Sequence, residues 1–312
     1  MLTPDYLQQL TIKLSEGLGQ LPDEVRARHA AYLTSAQRDD GGFAGRQGSS
    51  DLYYTGFALR ALAVLGELTG QPAQKAAQFL KSRMGGQESI VDFFSLLYST
   101  ALLRAAAGID VLADAADGWR EAVQKTLERL RRDDGGYAKG TDGAASSTYH
   151  TFLVLLCMQL IDRPVPEPER IVRFLHSQEA DEGGFREIRA SQRAGTNPTA
   201  AAIGSLRLLG ALDDSRRTNT INFLSDMQTD EGGLRANTRI PIADLLSTFT
   251  GAWTLADLGA IDQLDLRAVK PFVESLQWDQ GGFQAAAWDV TTDVEYTFYG
   301  LGCLALLAEH AL

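Results

Sequence analysis

The chain alternates between two kinds of apolar pattern, and both have the period of an α-helix. One is amphipathic with a charged face, as in RIVRFL at 170–175, and the other is apolar on nearly every side, as in TFLVLLCM at 151–158. An amphipathic helix buries one face, whereas a helix that is apolar all round is buried on all sides. The sequence therefore predicts helix pairs in two layers, with the first helix of each pair outside and the second inside.

The pattern predicts a lead-in helix over residues 3–18 and six helix pairs after it. The outer helices are expected at 23–38, 73–84, 119–132, 169–178, 214–228 and 266–277. The inner helices are expected at 51–68, 89–107, 146–161, 196–209, 242–258 and 292–307. Long alanine and leucine runs, with few β-branched alternations, indicate an all-α protein.

A glycine turn joins the two helices of each pair. It reads DDGGFAG at 39–45, DDGGYAKG at 133–140, DEGGFRE at 181–187, DEGGLRA at 230–236 and DQGGFQA at 279–285, with a worn copy, MGGQE, at 84–88. The first glycines are 44, 50, 48, 49 and 49 residues apart, which is the signature of a repeat protein. Paired glycines suit positive φ and close chain approach, and the preceding Asp can accept local N–H groups. A phosphate- or calcium-binding loop is the alternative, but no Lys-Ser/Thr follows the glycines and no regular row of oxygen ligands is present.

Six helix pairs that close on themselves form an α6/α6 toroid. We predict one toroid domain over 1–312, with the lead-in helix in 1–22 and six repeats in 23–309. Length alone would suggest two domains of about 150 residues, but the unbroken repeat favours one. The starts of the inner helices would line the mouth of a central funnel.

Composition and charge narrow the function classes. Hydrophobic residues make up 45% and charged residues 22% of the chain, as in soluble globular proteins. The net charge of −11 argues against general nucleic-acid binding, although a local basic pocket is compatible with it.

Cys157 and Cys303 lie in apolar segments and are interpreted as core residues. The start lacks a signal peptide and no apolar run reaches about 18 residues, so we expect no membrane span and a cytoplasmic location.

The turn sequence resembles the prenyltransferase and squalene-cyclase repeat. The motif Gln-x-x-Asp-Gly-Gly-aromatic is complete in QRDDGGF at 37–43 and nearly so in QWDQGGF at 277–283. The resemblance covers about 23–307, and six repeats without an inserted domain look most like the β subunit of protein prenyltransferases. It implies an apolar funnel that binds an isoprenoid diphosphate or another lipid, transfer of a prenyl group, and an α-type partner subunit.

The resemblance also implies a zinc site, which this sequence keeps only in part. The family's Asp and Cys fall on Asp244 and Leu246, and its His falls on Tyr296. Tight zinc sites need at least three protein ligands. Only Asp244 retains a ligating side chain, so no metal and no other cofactor is expected, and catalysis is left open. Glu295 in place of the histidine is the alternative.

Other candidate site residues have two interpretations each. Asp51, Asp244 and Asp293 are N-caps of inner helices or site carboxylates. His150, in a Tyr-His-Thr sequence similar to the family's signature, lines the pore or contacts a ligand or diphosphate. Cations after the turns contact a diphosphate or form a solvated face; they are Arg46, Lys139, Arg189, Arg193, Arg235 and Arg239. The candidate ligand-binding set is Asp51, Tyr54, His150, Arg193, Arg239, Asp244, Asp293, Glu295 and Tyr296.

Three other functions compete with prenyl transfer. The first is a non-catalytic toroid that binds a lipid or a protein. The second is a terpene cyclase, which needs a clustered Asp-x-Asp-Asp acid that is missing from this sequence. The third is an α6/α6-barrel enzyme acting on glycans through paired carboxylates, and the glycine repeat counts against it.

Overall fold

A computed structural model describes residues 5–85, 89–143 and 145–310, and this part of the chain holds thirteen α-helices and one two-stranded sheet. The helices are α1 Tyr6–Leu18, α2 Asp23–Ser35, α3 Leu52–Val64, α4 Gly70–Arg83, α5 Ile90–Ala107, α6 Trp119–Glu128, α7 Thr148–Leu160, α8 Pro168–Ser177, α9 Thr196–Leu208, α10 Asp214–Ser225, α11 Leu245–Asp257, α12 Leu266–Ser275 and α13 Val294–Glu309. The strands are β1 Phe283–Gln284 and β2 Thr292–Asp293, paired antiparallel. The six predicted helix pairs are all present.

The fold divides into two compact units. Unit 1 comprises Met1–Asp117 and Val273–Leu312, and unit 2 comprises Gly118–Phe272. Unit 1 contains α1 to α5 and α13, unit 2 contains α6 to α11, and the boundary falls within α12. The single domain over 1–312 stays a prediction.

Burial separates the two helices of each pair as the sequence pattern indicates. In the first pair, two of thirteen residues are buried in α2 and ten of thirteen in α3. In unit 2, the outer helix α8 buries three of its ten residues, Ile171, Phe174 and Leu175, whereas its inner partner α9 buries eight of thirteen. The prediction of a partly exposed first helix and a buried second helix is confirmed for these elements.

Most boundaries differ from the predicted ones by a few residues. The helix α2 ends at Ser35 and not at residue 38, because the following residues already belong to the turn and its hydrogen bonds. The lead-in helix begins at Tyr6, after Asp5 caps it; residues 3 and 4 of its predicted range lie outside the described residues. Of the worn sixth turn at 84–88, residues 86–88 also lie outside them.

The first glycine of each described turn has a backbone conformation that favours glycine. Its φ lies between +85° and +97° at Gly41, Gly135, Gly183, Gly232 and Gly281. The Asp40 carboxylate accepts the Gly42 N–H at 3.0 Å, and Asp134 accepts the Gly136 N–H at 3.1 Å. Both features were predicted from the Asp-Gly-Gly sequence, and both are confirmed.

Short antiparallel pairing follows four of the five Asp-x-Gly-Gly turns, which the sequence pattern did not predict. The residue after the second glycine pairs with the residue just before the next helix, as in Phe43 with Asp51 and Phe185 with Gly195. Only one or two residues pair on each side, so the sequence has no alternation of apolar and polar residues from which a strand could be predicted. This pairing fixes the distance from each of these turns to the start of its inner helix.

The motif glutamine bonds its own turn to the next outer helix. The Gln228 side-chain NH₂ donates to the carbonyl oxygens of Gly232 at 2.9 Å and Asp265 at 3.1 Å. The Asp265 N–H in turn donates to the Gln228 side-chain oxygen at 2.9 Å. Gln37 donates in the same way to Gly41 at 3.0 Å and Pro72 at 2.9 Å. The glutamine is therefore a structural part of the repeat.

One helix of the described chain, α5, is long and apolar enough to cross a membrane by length and composition. Of its 18 residues, 56% are buried inside the protein. Core helices of this kind pass the same test, so the match is weak evidence for a span.

Candidate functional sites

The three aspartates predicted at inner-helix starts all cap their helices. Asp51 accepts the Tyr54 N–H at 2.8 Å, Asp293 accepts the Tyr296 N–H at 2.9 Å, and Asp244 accepts the Ser247 N–H at 2.7 Å. An N-cap carboxylate satisfies backbone donors that have no partner within the helix. The N-cap interpretation of these residues is confirmed.

A cavity of about 480 Å³ opens in unit 1 near the starts of α3 and α13. Its lining combines carboxylates, aromatic rings and one guanidinium. The lining residues are Gly45, Arg46, Gln47, Tyr54, Ala285, Trp288, Asp289, Asp293, Glu295 and Tyr296. Four of the predicted site residues, Tyr54, Asp293, Glu295 and Tyr296, therefore lie in one place.

Arg46 bridges two buried carboxylates in this cavity. Its Nε donates to Asp293 at 2.9 Å, and its two terminal nitrogens donate to the two oxygens of Asp289, one of them at 2.9 Å. The carboxylate side chains are only 5% and 6% exposed, whereas that of Arg46 is 35% exposed. This bidentate geometry is the strong form of an arginine–carboxylate contact.

The pKa values of the two carboxylates in this cluster are shifted in opposite directions. Burial acts to raise the pKa of Asp289, but the hydrogen bonds from Arg46 and the Ala285 N–H outweigh it and hold the pKa at about 2. Burial raises the pKa of Asp293, against the lowering effects of the Tyr296 N–H and Arg46. Arg46 therefore forms its stronger ion pair with Asp289.

Glu295 is the third carboxyl group of the cavity. The Tyr53 hydroxyl donates to its Oε1 at 2.6 Å, and the Tyr299 hydroxyl lies 3.3 Å from the same oxygen. Burial and the charge of Asp293 raise the pKa of Glu295, and the two tyrosines only partly offset the rise. Glu295 therefore holds its proton more readily than an exposed glutamate.

We compare the free energy of unfolding of Glu295→Gln with that of the native chain. We expect this difference to favour the variant more at pH 8 than at pH 4. A carboxyl whose pKa is raised on folding favours the folded state below its unfolded pKa and loses that contribution as the pH rises through its folded pKa. The glutamine keeps a side-chain oxygen for Tyr53 but does not ionise. Denaturant unfolding at both pH values measures the difference, with exposed Glu67→Gln as the control. A difference that is the same at both pH values would contradict the assignment.

A second cavity, of about 450 Å³, opens in unit 2 beside the start of α9. Its residues are Glu187, Ser191, Gln192, Arg193, Ala194, Gly195, Asn197, Pro198, Ala236, Asn237 and Arg239. Arg193 donates to the Thr238 hydroxyl at 2.9 Å, and the described residues place no carboxylate within 4 Å of the side chain of either Arg193 or Arg239. The cavity thus presents two guanidinium groups free of ion pairs.

The start of α9 lacks the side-chain cap that the other inner helices have. Gly195 occupies the N-cap position, whereas Asp51, Ser89, Ser147, Asp244 and Asp293 cap α3, α5, α7, α11 and α13. Asn197, in the first turn of α9, accepts the Thr250 hydroxyl at 2.5 Å through its side-chain oxygen. Its NH₂ group donates to none of the described residues. The Thr196 N–H donates to the Ala236 carbonyl oxygen at 2.9 Å and Pro198 has no N–H, so the start of α9 attracts anions mainly through the positive end of its helix dipole.

Glu187 is the one carboxyl group in the lining of the second cavity. Its oxygen accepts the Ser147 hydroxyl, and burial raises the pKa of Glu187 against the lowering effects of Ser147 and the Tyr149 N–H. Since Glu187 is already bonded to the start of α7, it does not pair with Arg193 or Arg239. The charge of this cavity is therefore positive.

The residues at the implied zinc positions do not fit zinc. The Asp244 oxygens accept the N–H and the hydroxyl of Ser247, at 2.7 and 2.8 Å, and Leu246 has no ligating atom. Across the described ranges no group of three or more His, Cys, Asp or Glu side chains could hold a metal ion.

Burial and the charge of Lys139 lower the pKa of His150, whose Nδ1 is buried without a hydrogen-bond partner.

The residues of the predicted funnel-mouth set are distributed over both units, and their grouping at one mouth stays a prediction. Five of its residues lie in unit 1 and four in unit 2, and Asp51, His150 and Asp244 line neither described cavity. Sequence reasoning missed Asp289, Glu187 and Asn197. The missing cap at Gly195 could have been found, because the repeat aligns this glycine with Asp51 and Ser147.

Comparison with known proteins gives the fold class an independent basis. A family model for the prenyltransferase alpha-alpha toroid domain matches residues 10–186 and 199–311. No curated protein sequence matches the chain. The all-α toroid predicted from the repeat is thereby confirmed.

Solved structures with the same fold have different activities. A protein geranylgeranyltransferase-I of Candida albicans, in complex with GGPP, matches with a TM-score of 0.72 at 15% identity, over 90% of this chain and 91% of that one. A variant of the type II terpene cyclase MstE from Scytonema, in complex with geranylgeranyl dihydroxybenzoate, matches with a TM-score of 0.64 at 14% identity, over 96% of this chain and 99% of that one. An inactive α-1,6-mannanase variant from Salegentibacter, in complex with α-1,6-mannotriose, matches at 0.64 and 14%, over 92% and 98%. At these identities the likeness shows the fold alone.

Proposed function

Because the chain belongs to the prenyltransferase alpha-alpha toroid domain family, we propose that it binds an isoprenoid diphosphate and that the unit 2 cavity holds the diphosphate group. The observation that carries this proposal is the pair of guanidinium groups, Arg193 and Arg239, in the cavity at the uncapped start of α9. An acidic chain that leaves two arginines without carboxylate partners in one cavity has a place for an external anion.

The chemistry of the cavity suits a diphosphate. Planar guanidinium groups bind phosphate oxygens through two parallel N–H bonds, and these charge-assisted bonds are roughly twice as strong as neutral ones. The dipole at the start of α9 adds a fixed positive potential. The Asn197 NH₂ is a further donor in the same lining. Arg193, Arg239 and α9 would also stabilise the negative charge that develops on a departing diphosphate.

Apolar residues beside Arg239 provide a surface for a hydrocarbon chain. Ile240 and Ile242 follow it directly and are 39% and 40% exposed, and Pro198 lines the cavity itself. Exposed isoleucines next to a cationic cavity fit a ligand that has a charged head and an apolar tail. Two of the structural relatives are complexes with geranylgeranyl compounds, which supports the same ligand class.

The residues that would hold zinc in a protein prenyltransferase are not in place, so we propose no reaction step that depends on a metal ion. Its first claim is binding of the isoprenoid diphosphate. Transfer of the prenyl group to an acceptor, with an α-type partner subunit, is the second claim and depends on the first. A lipid-binding protein without catalysis would share only the first claim.

Calorimetry of the full chain with geranylgeranyl diphosphate, geranylgeraniol and inorganic diphosphate tests the proposal. We expect the lipid diphosphate to bind at least tenfold more tightly than the alcohol. Arg193→Ala with Arg239→Ala should weaken its binding about 100-fold, since a hydrogen bond to a charged group contributes about 1.5–3 kcal/mol. Arg189→Ala, an exposed arginine of the same loop that does not line the cavity, is the matched control.

Two results would contradict the proposal. Unchanged affinity in the double variant would remove the diphosphate from this cavity. Equal affinity for the alcohol and the diphosphate would indicate a lipid site that does not recognise charge.

A further inference from the structure

Arg60 of unit 1 is a buried cation without a counter-ion. It is the only charged residue of α3, and it is 8% exposed. Among the described residues no carboxylate lies within 4 Å of it and none accepts a hydrogen bond from it; its Nε is buried without a partner. Burying a charge is costly unless the charge is paired and hydrogen-bonded.

Three aromatic rings surround the guanidinium group. Its central carbon lies 4.6 Å from the centre of the Phe57 ring, 4.9 Å from Phe94 and 5.2 Å from Tyr98. Contacts with ring faces stabilise the cation but do not satisfy the N–H donors at its edge. The ring contacts therefore leave the Nε–H of Arg60 without an acceptor.

A second polar group on the neighbouring helix is also unsatisfied. The Ser99 hydroxyl is buried without a hydrogen-bond partner, and Ser99 is 1% exposed. It lies on α5, the helix that supplies Phe94 and Tyr98 and that packs against α3. Buried polar groups nearly always have a partner, so these two unsatisfied groups on adjoining helices leave hydrogen-bonding capacity for an acceptor from outside the chain.

Glu295, whose pKa is affected by the charge of Arg60, already has hydrogen-bond partners. The charge of Arg60 acts to lower the pKa of Glu295, but no oxygen of Glu295 comes within ion-pair distance of Arg60. Glu295 instead accepts the Tyr53 hydroxyl at 2.6 Å. Unit 1 therefore supplies the cation and the apolar rings, and the anion has to come from elsewhere.

We propose that Arg60 binds the carboxylate of an amphipathic acid whose hydrocarbon part contacts the rings of α3, α5 and α13. The ring cluster continues from Phe57 to Tyr299 at 5.2 Å and Phe298 at 5.8 Å between ring centres. A flat carboxylate matches the planar edge of a guanidinium group held between rings and carries one charge for one cation. A phosphate monoester would bring close to two negative charges to the same single cation. Its residues belong to unit 1, whereas those of the proposed diphosphate cavity belong to unit 2.

The test compares farnesoic acid with farnesol on the full chain at pH 8 by calorimetry. We expect the acid to bind at least tenfold more tightly than the alcohol. Arg60→Met, which keeps the length and apolar stem of the side chain, should abolish this preference. The matched control is Arg83→Met, because Arg83 also lies over a ring, that of Phe79 at 5.0 Å, but on the outer helix α4.

Three outcomes would overturn the proposal. The acid preference could persist in Arg60→Met, which would make Arg60 a structural residue. It could disappear in the Arg193→Ala, Arg239→Ala double variant and persist in Arg60→Met, which would place the acid in unit 2. If Arg60→Met does not fold, Arg60→Gln removes the charge but keeps a polar donor, and an unchanged preference in that variant would overturn the proposal as well.

Discussion

Gly232→Val is expected to lower the free energy of unfolding by at least about 3 kcal/mol. Gly232 has φ +97°, a region in which other residues are strained by about 1–3 kcal/mol. A Cβ at this position would also lie 2.1 Å from the Ala268 carbonyl oxygen, so the backbone of the next outer helix would have to move. Gly135→Val should act in the same way, since its Cβ would lie 2.5 Å from the Arg170 carbonyl oxygen. Denaturant unfolding measures both losses.

Gly210→Val separates the two causes. Gly210 also has a positive φ, +64°, but an added Cβ meets nothing within 4 Å, so this variant reports backbone strain alone. Equal losses at Gly210 and Gly232 would show that the contact with Ala268 contributes nothing. A Gly232→Val protein of full stability that no longer binds its ligand would mean that the turn is a binding loop and not a structural joint.

Arg46→Met is expected to lower the free energy of unfolding by about 2–4 kcal/mol. The substitution leaves Asp289 and Asp293 buried without their cation, and removal of one partner from a buried ion pair typically costs about 3–5 kcal/mol. Because the Arg46 side chain is 35% exposed, solvent screening reduces that figure. Thermal and denaturant unfolding near neutral pH measure the loss.

The pH dependence of that loss identifies the ion pair as its cause. A carboxyl whose pKa is lowered on folding stabilises the protein above its unfolded pKa, and this contribution disappears as the pH falls through the folded pKa. For Asp289 the window runs from about 4 down to about 2, so the difference between Arg46→Met and the native chain should shrink there. Arg26→Met, which removes a pair with the 93% exposed Asp23, should have almost no effect. A loss at Arg46 that does not vary with pH would point to lost packing.

The repeat could be predicted from sequence because its causes are local. The first glycine of each turn needs a positive φ, and the Asp before the glycines accepts an N–H two residues on, as at Asp40 and Gly42. The helix pairs follow from apolar periodicity within each segment. Their ends were less accurate, because residues such as Gln37 bond to the following repeat, which local pattern does not report.

The sites were harder to predict because their residues come from distant parts of the chain. Arg46 was a candidate cation, but its partner Asp289 is 243 residues away, and no local signal links them. Arg60 could have been identified from the sequence, because it is the one charged residue of the largely apolar helix α3. The nine residues that the sequence analysis grouped at one mouth come from both units, five from unit 1 and four from unit 2, and each unit has a cavity of its own.

The motif glutamine ties the stability of one repeat to that of the next. Gln228 makes one hydrogen bond to the turn at Gly232 and two to Asp265 at the start of α12, and the latter two span 37 residues of sequence. When neighbouring repeats share an interface in this way, local unfolding of one repeat removes bonds from the other, and opening spreads along the chain. The Asp265 amide hydrogen, which is bonded to a side chain of the preceding repeat, should therefore exchange with solvent at a rate set by that repeat.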